Sequence, residues 1–267
     1  MGKMRIRLSL PGDEPGMIRI WSAVFGDGEE YIRGFLSGLY RPGRAALAEV
    51  GGKLVSMAFF PRTGEIVYSD GKRVNCSYLY AVATLPEYRG RGLGAAVSRL
   101  AAMRAKEDGA VAVCPAEPGL FGYYERVCGF ETLFYTREEE FSQPEKTEAP
   151  AERINAEEYF ALREKYLAGT THIRYSEAAA EYQARLCETG GFFRSEKGIF
   201  AAEAYGGKLF VKEALGEASP GKIAGTLPGE RYVVRSPGKG APFAMLLPEQ
   251  GSGMLAEEPS WFGFAFD

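Results

Sequence analysis

The stretch LPEYRGRGLGAAVSRL, residues 85–100, places three glycines and two arginines at the point where a helix begins. From Leu93 the apolar residues recur with helical spacing at Val97 and Leu100, which predicts a helix of about four turns. Glycine costs a helix about 1 kcal/mol relative to alanine, so glycines in its first turn need a local reason. The first N–H groups of a helix have no partner within it and carry the positive end of its dipole. The stretch therefore predicts a phosphate-binding loop.

Two widespread phosphate loops do not match this stretch. A Walker loop requires Gly-Lys followed by Ser or Thr, and the sequence contains no such string after the required spacing. The dinucleotide pattern G-x-G-x-x-G, started at Gly92 and Gly94, meets Val97 where its third glycine belongs. Arg89 and Arg91 supply charge that can reach phosphate oxygens, so we expect a phosphate loop of another kind.

The loop lies within an alternation of predicted strands and helices. Before it, periodicity and turn residues predict a strand, two helices and three strands: Met4–Leu10, Asp13–Phe25, Glu29–Leu39, Arg44–Val50, Lys53–Pro61 and Asn75–Thr84. After it they predict a helix ending near Gly109, then a strand, a helix and a strand: Ala110–Cys114, Gly119–Cys128 and Phe130–Thr136. The Gly51-Gly52 dipeptide suits a tight hairpin between two of these strands.

The string R-G-R-G-L-G at 89–94 resembles the R/Q-x-x-G-x-G/A loop of the GCN5-related N-acetyltransferase (GNAT) family. The resemblance extends in element order over residues 4–137, and its specific parts are LPEYRGRGLG and the YYERVCGF ending, Tyr123–Phe130. It implies an α/β (α+β) fold with a mixed, mostly antiparallel central sheet, flanking helices and splayed strands. A smaller C-terminal α+β domain is expected to follow.

The resemblance also implies acetyl-CoA as cosubstrate. The backbone of the loop would hold its pyrophosphate, through Arg89, Gly90, Arg91, Gly92, Leu93, Gly94 and Ala95. The end of the preceding strand, Val82, Ala83 and Thr84, would splay from Val111–Cys114 so that pantetheine lies between them like an added strand. A backbone N–H near Val82 would stabilise the thioester oxyanion.

The chemistry implied is direct attack of a neutral amine on the thioester, which requires a base and an acid. In this family the acid is commonly a tyrosine on the helix after the splayed strand, which indicates Tyr124, with Tyr123 second. Phe121, Tyr124 and Cys128 share one helical face, so Tyr124 as a core residue stays open. The family's tyrosine usually stands five residues before the aromatic of Gly-Phe, whereas Tyr124 stands six before Phe130. A helix bulge would absorb the extra residue, which otherwise rotates the side chain by about 100°.

The base has several candidates, because the strand NCSYLYAVAT carries no carboxylate. They are a water oriented by Tyr78 and Tyr80, and the carboxylates of Glu117, Glu29 and Glu30. Cys114 and Cys128 have no neighbouring base or cluster of cations in sequence, so they are read as packing residues and not as acetyl carriers.

The segment from Arg137 to Ala156 is charged, contains two prolines and lacks periodicity, so it is read as a domain boundary. We predict a GNAT domain over 1–140, a linker over 141–155 and a C-terminal α+β domain over 156–267. The last would begin with helices at Ala156–Leu167 and Ser176–Thr189 and continue as strands. By analogy it would be a degenerate GNAT-like domain that walls the acceptor pocket.

Composition excludes other classes of protein. A net charge of -3 and a pI near 5.6 give no pull toward nucleic acid. Neither a membrane span nor a signal peptide is recognised, so the chain is read as cytoplasmic. Four isolated cysteines and one histidine, His172, read as lying in a loop between helices, indicate no metal site and no disulfide framework.

The sequence thus predicts an N-acetyltransferase that acts as a monomer or homodimer on a primary amine of a small molecule or protein. Two alternatives stay open, a CoA-binding sensor whose catalytic groups have decayed and a scaffold that keeps only the fold.

Overall fold

The computed structural model describes residues 3–142, 144, 146–205, 207–249 and 259–266. These residues form two compact units, each assembled from separate stretches of chain. Unit 1 contains residues 3–66, 74–132 and 244–249, and unit 2 contains residues 67–73, 133–243 and 259–266. No helix in these described ranges has both the length and the apolar character needed to cross a membrane.

The elements are named in chain order. The strands are β1 (Met4–Leu8), β2 (Ala45–Val50), β3 (Lys53–Phe59), β4 (Arg62–Val67), β5 (Arg73–Tyr78), β6 (Tyr80–Thr84), β7 (Ala110–Val113), β8 (Glu131–Ser142), β9 (Glu152–Ile154), β10 (Thr171–Tyr175), β11 (Gly191–Arg194), β12 (Gly198–Tyr205), β13 (Lys208–Gly216), β14 (Arg231–Pro237), β15 (Ala241–Leu247) and β16 (Ser260–Trp261). The helices are α1 (Glu14–Phe25), α2 (Glu29–Gly38), α3 (Leu93–Lys106), α4 (Pro118–Cys128), α5 (Ala156–Tyr166), α6 (Glu177–Leu186) and α7 (Pro220–Thr226).

Unit 1 is built on two groups of strands. In the first, β1, β2, β3 and β6 lie side by side in this order, each antiparallel to the next. Gly51 and Gly52 link β2 to β3 with φ of 59° and 80°, which confirms the predicted hairpin because this turn needs positive φ. In the second group β5 runs parallel to β7, and β7 runs antiparallel to β15. The mixed, mostly antiparallel sheet is as predicted.

Helix α3 is held against the first group of strands by one apolar face. Leu93, Val97 and Ala101 on this face are buried, and the helix packs on β2 and β3. Burying a leucine or valine side chain is worth roughly 1.5–3 kcal/mol, so these residues fix where the helix starts. The loop that precedes α3 is positioned by this packing.

Two details of unit 1 differ from the prediction. Strand β4 was not predicted, and the single strand expected over Asn75–Thr84 is divided into β5 and β6 at Leu79. The division follows from pairing, since β5 pairs with β7 whereas β6 pairs with β3. Such long-range pairing leaves no signature in an apolar run.

Unit 2 contains the strand order β8, β14, β13, β12, β11 and β9. The predicted helices at Ala156–Leu167 and Ser176–Thr189 are found as α5 and α6, whose caps Asn155 and Ser176 accept hydrogen bonds from backbone N–H groups. Helix α7 was not predicted. His172, expected in a loop between helices, lies instead in β10, where it pairs with Trp261 of β16.

A buried ion pair holds the centre of unit 2 together. Arg163 Nε lies 2.9 Å from Glu213 Oε1, and neither side chain has exposed surface. Tyr159 donates to Glu213 Oε1 at 2.9 Å, Trp261 Nε1 donates to Glu213 Oε2, and Arg163 Nη1 donates to the carbonyl of Ile173 at 2.7 Å. The carboxylate is therefore compensated by several donors, as a buried charge requires.

The predicted division into domains stays a prediction, although the compact units are divided differently. The longest stretch of unit 2 begins at residue 133, and most of the stretch expected as a linker, 141–155, lies inside it, with β9 at Glu152–Ile154. Residues 143, 145, 206, 250–258 and 267 of the predicted linker and C-terminal domain lie outside the described part of the chain.

Candidate functional site

The loop between β6 and α3 combines a tight turn with two glycines in the left-handed region. Tyr88 N–H donates to the carbonyl of Leu85 at 2.9 Å, and the chain then passes through Gly90 and Gly92 at φ of 72° and 75°. A Cβ placed on either glycine would meet no atom within 4 Å. These glycines are therefore required for their backbone conformation, and the backbone they leave bare is open to a ligand.

Two arginines brace this loop. Arg89 Nε donates to the carbonyl of Thr84 at 3.1 Å, and Arg91 Nη2 donates to the carbonyl of Glu87 at 2.9 Å. The guanidinium of Arg91 also lies 5.1 Å from the ring centroid of Tyr88. A guanidinium has five N–H donors, so each arginine can hold the loop and still bind an anion.

Gly94, in the first turn of α3, marks a close approach of three elements. A Cβ on it would lie 3.3 Å from Thr84 Oγ1 of β6 and 3.6 Å from the hydroxyl of Tyr123 of α4. Thr84 Oγ1 is in turn fixed 2.7 Å from Ser56 Oγ of β3. The predicted loop residues Arg89 to Ala95 and the strand end at Thr84 are thus brought together.

Strands β6 and β7 separate beside the loop, as predicted. Leu79 N–H donates to the carbonyl of Ala112 at 2.8 Å, directly after the last paired residues of β5 and β7. Beyond that point β6 follows β3 instead, through Tyr80, Ala83 and Thr84. An extended ligand can therefore add its own hydrogen bonds along the edge of β6.

A β-bulge lies in β6 where it leaves β7. Phe59 pairs with Tyr80 and Met57 with Ala83, so β6 carries one residue more than β3 over this stretch. Ala81 has φ of 47°, an unfavourable conformation for a residue with a side chain. A bulge redirects the backbone groups next to it, which include the N–H of Val82.

The two tyrosines of α4 have different surroundings. The Tyr123 hydroxyl lies 3.3 Å from Ser98 Oγ of α3, whereas Tyr124 is buried with its ring 6.1 Å from that of Phe130. Burial raises the pKa of both phenols, and that of Tyr124 by more. Helix α4 runs as unbroken α-helix to Cys128, so the helix bulge considered for the extra residue is wrong. The extra residue between Tyr124 and Phe130 is therefore accommodated without a bulge in α4.

The carboxylates considered as bases are on the surface. Glu29 pairs with Arg33 at 2.6 Å, with more than half of both side chains exposed, and Glu30 and Glu117 are exposed too. Tyr78 is buried and stacks on Tyr80 at 5.6 Å between ring centroids. Of the candidates, Tyr80 is the half-buried one on the strand that leaves β7.

Sequence reasoning missed the aromatic surroundings of Tyr80. Its hydroxyl lies 3.2 Å from that of Tyr31, and Trp21 donates from Nε1 to Asp27 Oδ2 at 2.8 Å. Helical spacing on α1 and α2 indicated apolar faces but not which strand they meet. Contacts across 49 residues leave no local signal.

Cys128 is a poor nucleophile at neutral pH. Cys128 is partly buried, and burial raises its pKa to about 11. A thiol must ionise to attack or carry an acyl group readily, so this shift disfavours an acetyl-enzyme at Cys128. The interpretation of Cys128 as a packing residue agrees with this.

Comparison with known proteins adds the following findings. A family model described as an acetyltransferase (GNAT) domain matches residues 5–132. Comparison with curated proteins gives no match. Solved structures of GCN5-related N-acetyltransferases are similar in fold. That from Kribbella flavida has a TM-score of 0.66 at 18% identity and covers 92% of this chain and 71% of its own.

Two further solved structures give a similar result. The GCN5-related N-acetyltransferase from Anabaena variabilis has a TM-score of 0.69 at 15% identity, covering 91% of this chain and 72% of its own. The one from Sphaerobacter thermophilus has a TM-score of 0.53 at 12% identity, covering 92% and 95%. At identities this low, the structural similarity shows a shared fold. The matched part of this chain includes residues of both compact units.

Proposed function

Because residues 5–132 form an acetyltransferase domain of the GNAT family, we propose that the chain transfers the acetyl group of acetyl-CoA to a primary amine. The acceptor would be a small molecule or a protein, and transfer would occur by direct attack. One observation carries the proposal: a bare, arginine-flanked helix start follows the end of β6, a strand that pairs with β3 and has separated from β7 at Leu79.

The chain's own residues fit the cosubstrate. The backbone from Arg89 to Ala95 would hold its diphosphate, since the first N–H groups of α3 point out from a start capped by glycine. The edge of β6 that faces away from β3, from Thr84 through Ala83 to Val82, would pair with the pantetheine arm. Acetyl-CoA supplies a reactive thioester when it is bound.

The N–H of Val82 would stabilise the oxyanion that forms during attack. Preorganised backbone donors of this kind are worth several kcal/mol because they need no reorientation during the reaction. The bulge at Ala81 and Val82 supports this role, since it redirects a donor that a regular β6–β3 ladder would occupy.

Tyr124 would donate the proton that the departing thiolate needs, with Tyr123 as the second candidate. The Tyr124 phenol is protonated at neutral pH, as an acid must be before transfer, and burial raises its pKa further. The Tyr124 hydroxyl also makes no hydrogen bond to another described residue, whereas that of Tyr123 bonds Ser98. These surroundings favour Tyr124.

The proton of the acceptor ammonium would leave through water oriented by Tyr80. This route is favoured over Glu29, Glu30 and Glu117, which are exposed, because Tyr80 lies on β6 two residues from Val82. The role predicted for residues 156–267, a degenerate GNAT-like domain walling the acceptor pocket, stays a prediction.

Acetyl-CoA-dependent thiol release with a panel of amines tests the proposal, together with calorimetric titration of CoA. Release that depends on an added amine supports acetyl transfer. Binding of CoA without release for any amine overturns it in favour of a CoA-binding sensor. Failure to bind CoA at micromolar concentrations overturns it in favour of a scaffold.

A further inference from the structure

The aromatic cluster beneath Tyr80 consists of tightly packed rings from α1, α2, β3 and β5. The ring of Tyr80 lies 5.5 Å from that of Trp21, 5.1 Å from Phe35 and 5.6 Å from Tyr78, measured between centroids. Trp21, Phe35 and Tyr78 are buried, which fixes the orientation of the Tyr80 ring. This packing gives Tyr80 a defined position, as a binding residue requires.

Three polar side chains form the accessible side of this cluster. Tyr31 and Tyr80 are half-buried, and their hydroxyls meet at 3.2 Å between α2 and β6. Asp27, also half-buried, is held by a 2.8 Å hydrogen bond from Trp21 Nε1 to its Oδ2. A carboxylate offers about four lone-pair sites on its two oxygens, so this bond leaves Asp27 able to accept others.

The position of these groups along β6 relates them to the reaction. Thr84 lies beside the phosphate loop, and β6 runs back from it through Val82 to Tyr80. At about 3.3 Å per residue, Tyr80 stands about 13 Å from Thr84. A pantetheine arm that starts at the loop and follows β6 therefore ends near Tyr80. The acceptor amine must approach the thioester at that end.

We propose that Asp27, Tyr31 and Tyr80 bind the acceptor and select a small primary amine on an apolar body without a carboxylate. This rests on the proposed function. The ammonium would bind the Asp27 carboxylate and donate hydrogen bonds to the hydroxyl oxygens of the two phenols. Phe25, 48% exposed and edge-on to Trp21 at 6.2 Å, would contact the apolar body.

Charge explains why a carboxylate would be rejected. Asp27, Glu29 and Glu30 follow one another closely at the start of α2, and Arg33 neutralises Glu29. An α-amino acid would bring its own carboxylate toward Asp27, and such like-charge contacts are unfavourable. An amine without a carboxylate is attracted to Asp27 through its ammonium group and meets no such repulsion.

The test compares phenethylamine with phenylalanine and with a lysine-containing peptide. Each is titrated calorimetrically into the full chain saturated with CoA, and acetyl transfer to each is measured. We expect phenethylamine to bind at least about tenfold more tightly than the others, as expected for one charge-assisted contact. Equal or tighter binding of phenylalanine or the peptide would overturn the proposal.

Substitutions locate the effect. Asp27→Asn and Tyr80→Phe are expected to raise the phenethylamine Kd and KM about tenfold, with CoA affinity little changed. Tyr80→Phe should also lower kcat, because its hydroxyl is proposed to orient the water that takes the acceptor proton. Asp70→Asn and Tyr166→Phe, at exposed positions of unit 2, serve as matched controls. Effects below twofold for both Asp27→Asn and Tyr80→Phe would contradict the proposal.

The two proposals fail in different ways. If no amine accepts an acetyl group, the proposed function is wrong, and the calorimetric preference still decides whether this amine site exists. If amines other than phenethylamine are acetylated while phenethylamine does not bind, acetyl transfer stands and the proposed acceptor class is wrong. Tyr31→Phe adds a variant that removes a hydroxyl without altering β6.

Discussion

The hydroxyl of Tyr123 lies 3.3 Å from the hydroxyl of Ser98, which joins α4 to the second turn of α3. Tyr124, one residue further along α4, is rotated by about 100° around the helix and is buried next to Phe130. The two phenols are chemically identical but differ in partner and burial. The structure therefore separates a tyrosine that links two helices from one whose hydroxyl makes no such link.

This difference yields opposite expectations for two matched variants. Tyr124→Phe should lower kcat about 10²-fold or more, because it removes the proton donor, and should leave the acetyl-CoA KM nearly unchanged. Tyr123→Phe should lower stability slightly, by about 1 kcal/mol for a lost hydrogen bond, and leave kcat within a few-fold. Steady-state kinetics and urea unfolding measure both. The reverse pattern in kcat would assign the acid to Tyr123.

Gly92 provides a test of the proposed phosphate loop with an internal control. Gly92→Ala and Gly71→Ala each place a Cβ at positive φ, 75° and 85°, with no atom within 4 Å. Both should lose about 1 kcal/mol of stability for the same conformational reason. Only Gly92→Ala should raise the Kd for acetyl-CoA, by at least about tenfold, because its methyl group lies at the diphosphate site. Equal affinities in calorimetry would place the diphosphate elsewhere.

The glycine-rich turn before α3 could be predicted because its signal is local. Glycines, arginines and the apolar positions of α3 all lie within residues 85–100, and each acts on its neighbours. The break at Leu79 and the bulge at Ala81 could not be predicted, since they follow from β5 pairing with β7 and β6 with β3. The pairing of Tyr31 with Tyr80 depends on the same long-range arrangement.

The assembly of the two units lay beyond local reasoning for a similar cause. Helices α5 and α6 were predicted from their periodicity, and both are found. The return of residues 244–249 to unit 1 depends on β15 pairing with β7, more than 100 residues earlier. A contiguous division of the chain takes no account of such pairing.

Ala81 gives a prediction about stored strain. At φ of 47° its Cβ is unfavourable, so Ala81→Gly should leave stability unchanged or raise it by up to about 1 kcal/mol. Ala83→Gly, on the same strand outside the left-handed region, should lower stability by about 1 kcal/mol. Urea unfolding of the two variants measures the contrast. A similar loss in both would mean that the bulge is not strained.

The Arg163–Glu213 pair of unit 2 gives the largest expected loss of stability. Glu213→Gln removes the charge that compensates a guanidinium with no exposed surface, which should cost about 3 kcal/mol or more. Glu217→Gln breaks an ion pair with Lys197 in which the two side chains are 76% and 66% exposed, and should change stability by less than about 0.5 kcal/mol.

Chemical denaturation of both variants, followed by fluorescence of Trp261, whose indole donates to Glu213, reports on unit 2 directly. Trp21 in unit 1 contributes to the same signal, so Trp21→Phe is introduced as the common background. If Glu213→Gln unfolds at the same urea concentration as Glu217→Gln, Arg163 must be solvated in the folded state. The buried network would then not be what stabilises the packing of β13 against α5.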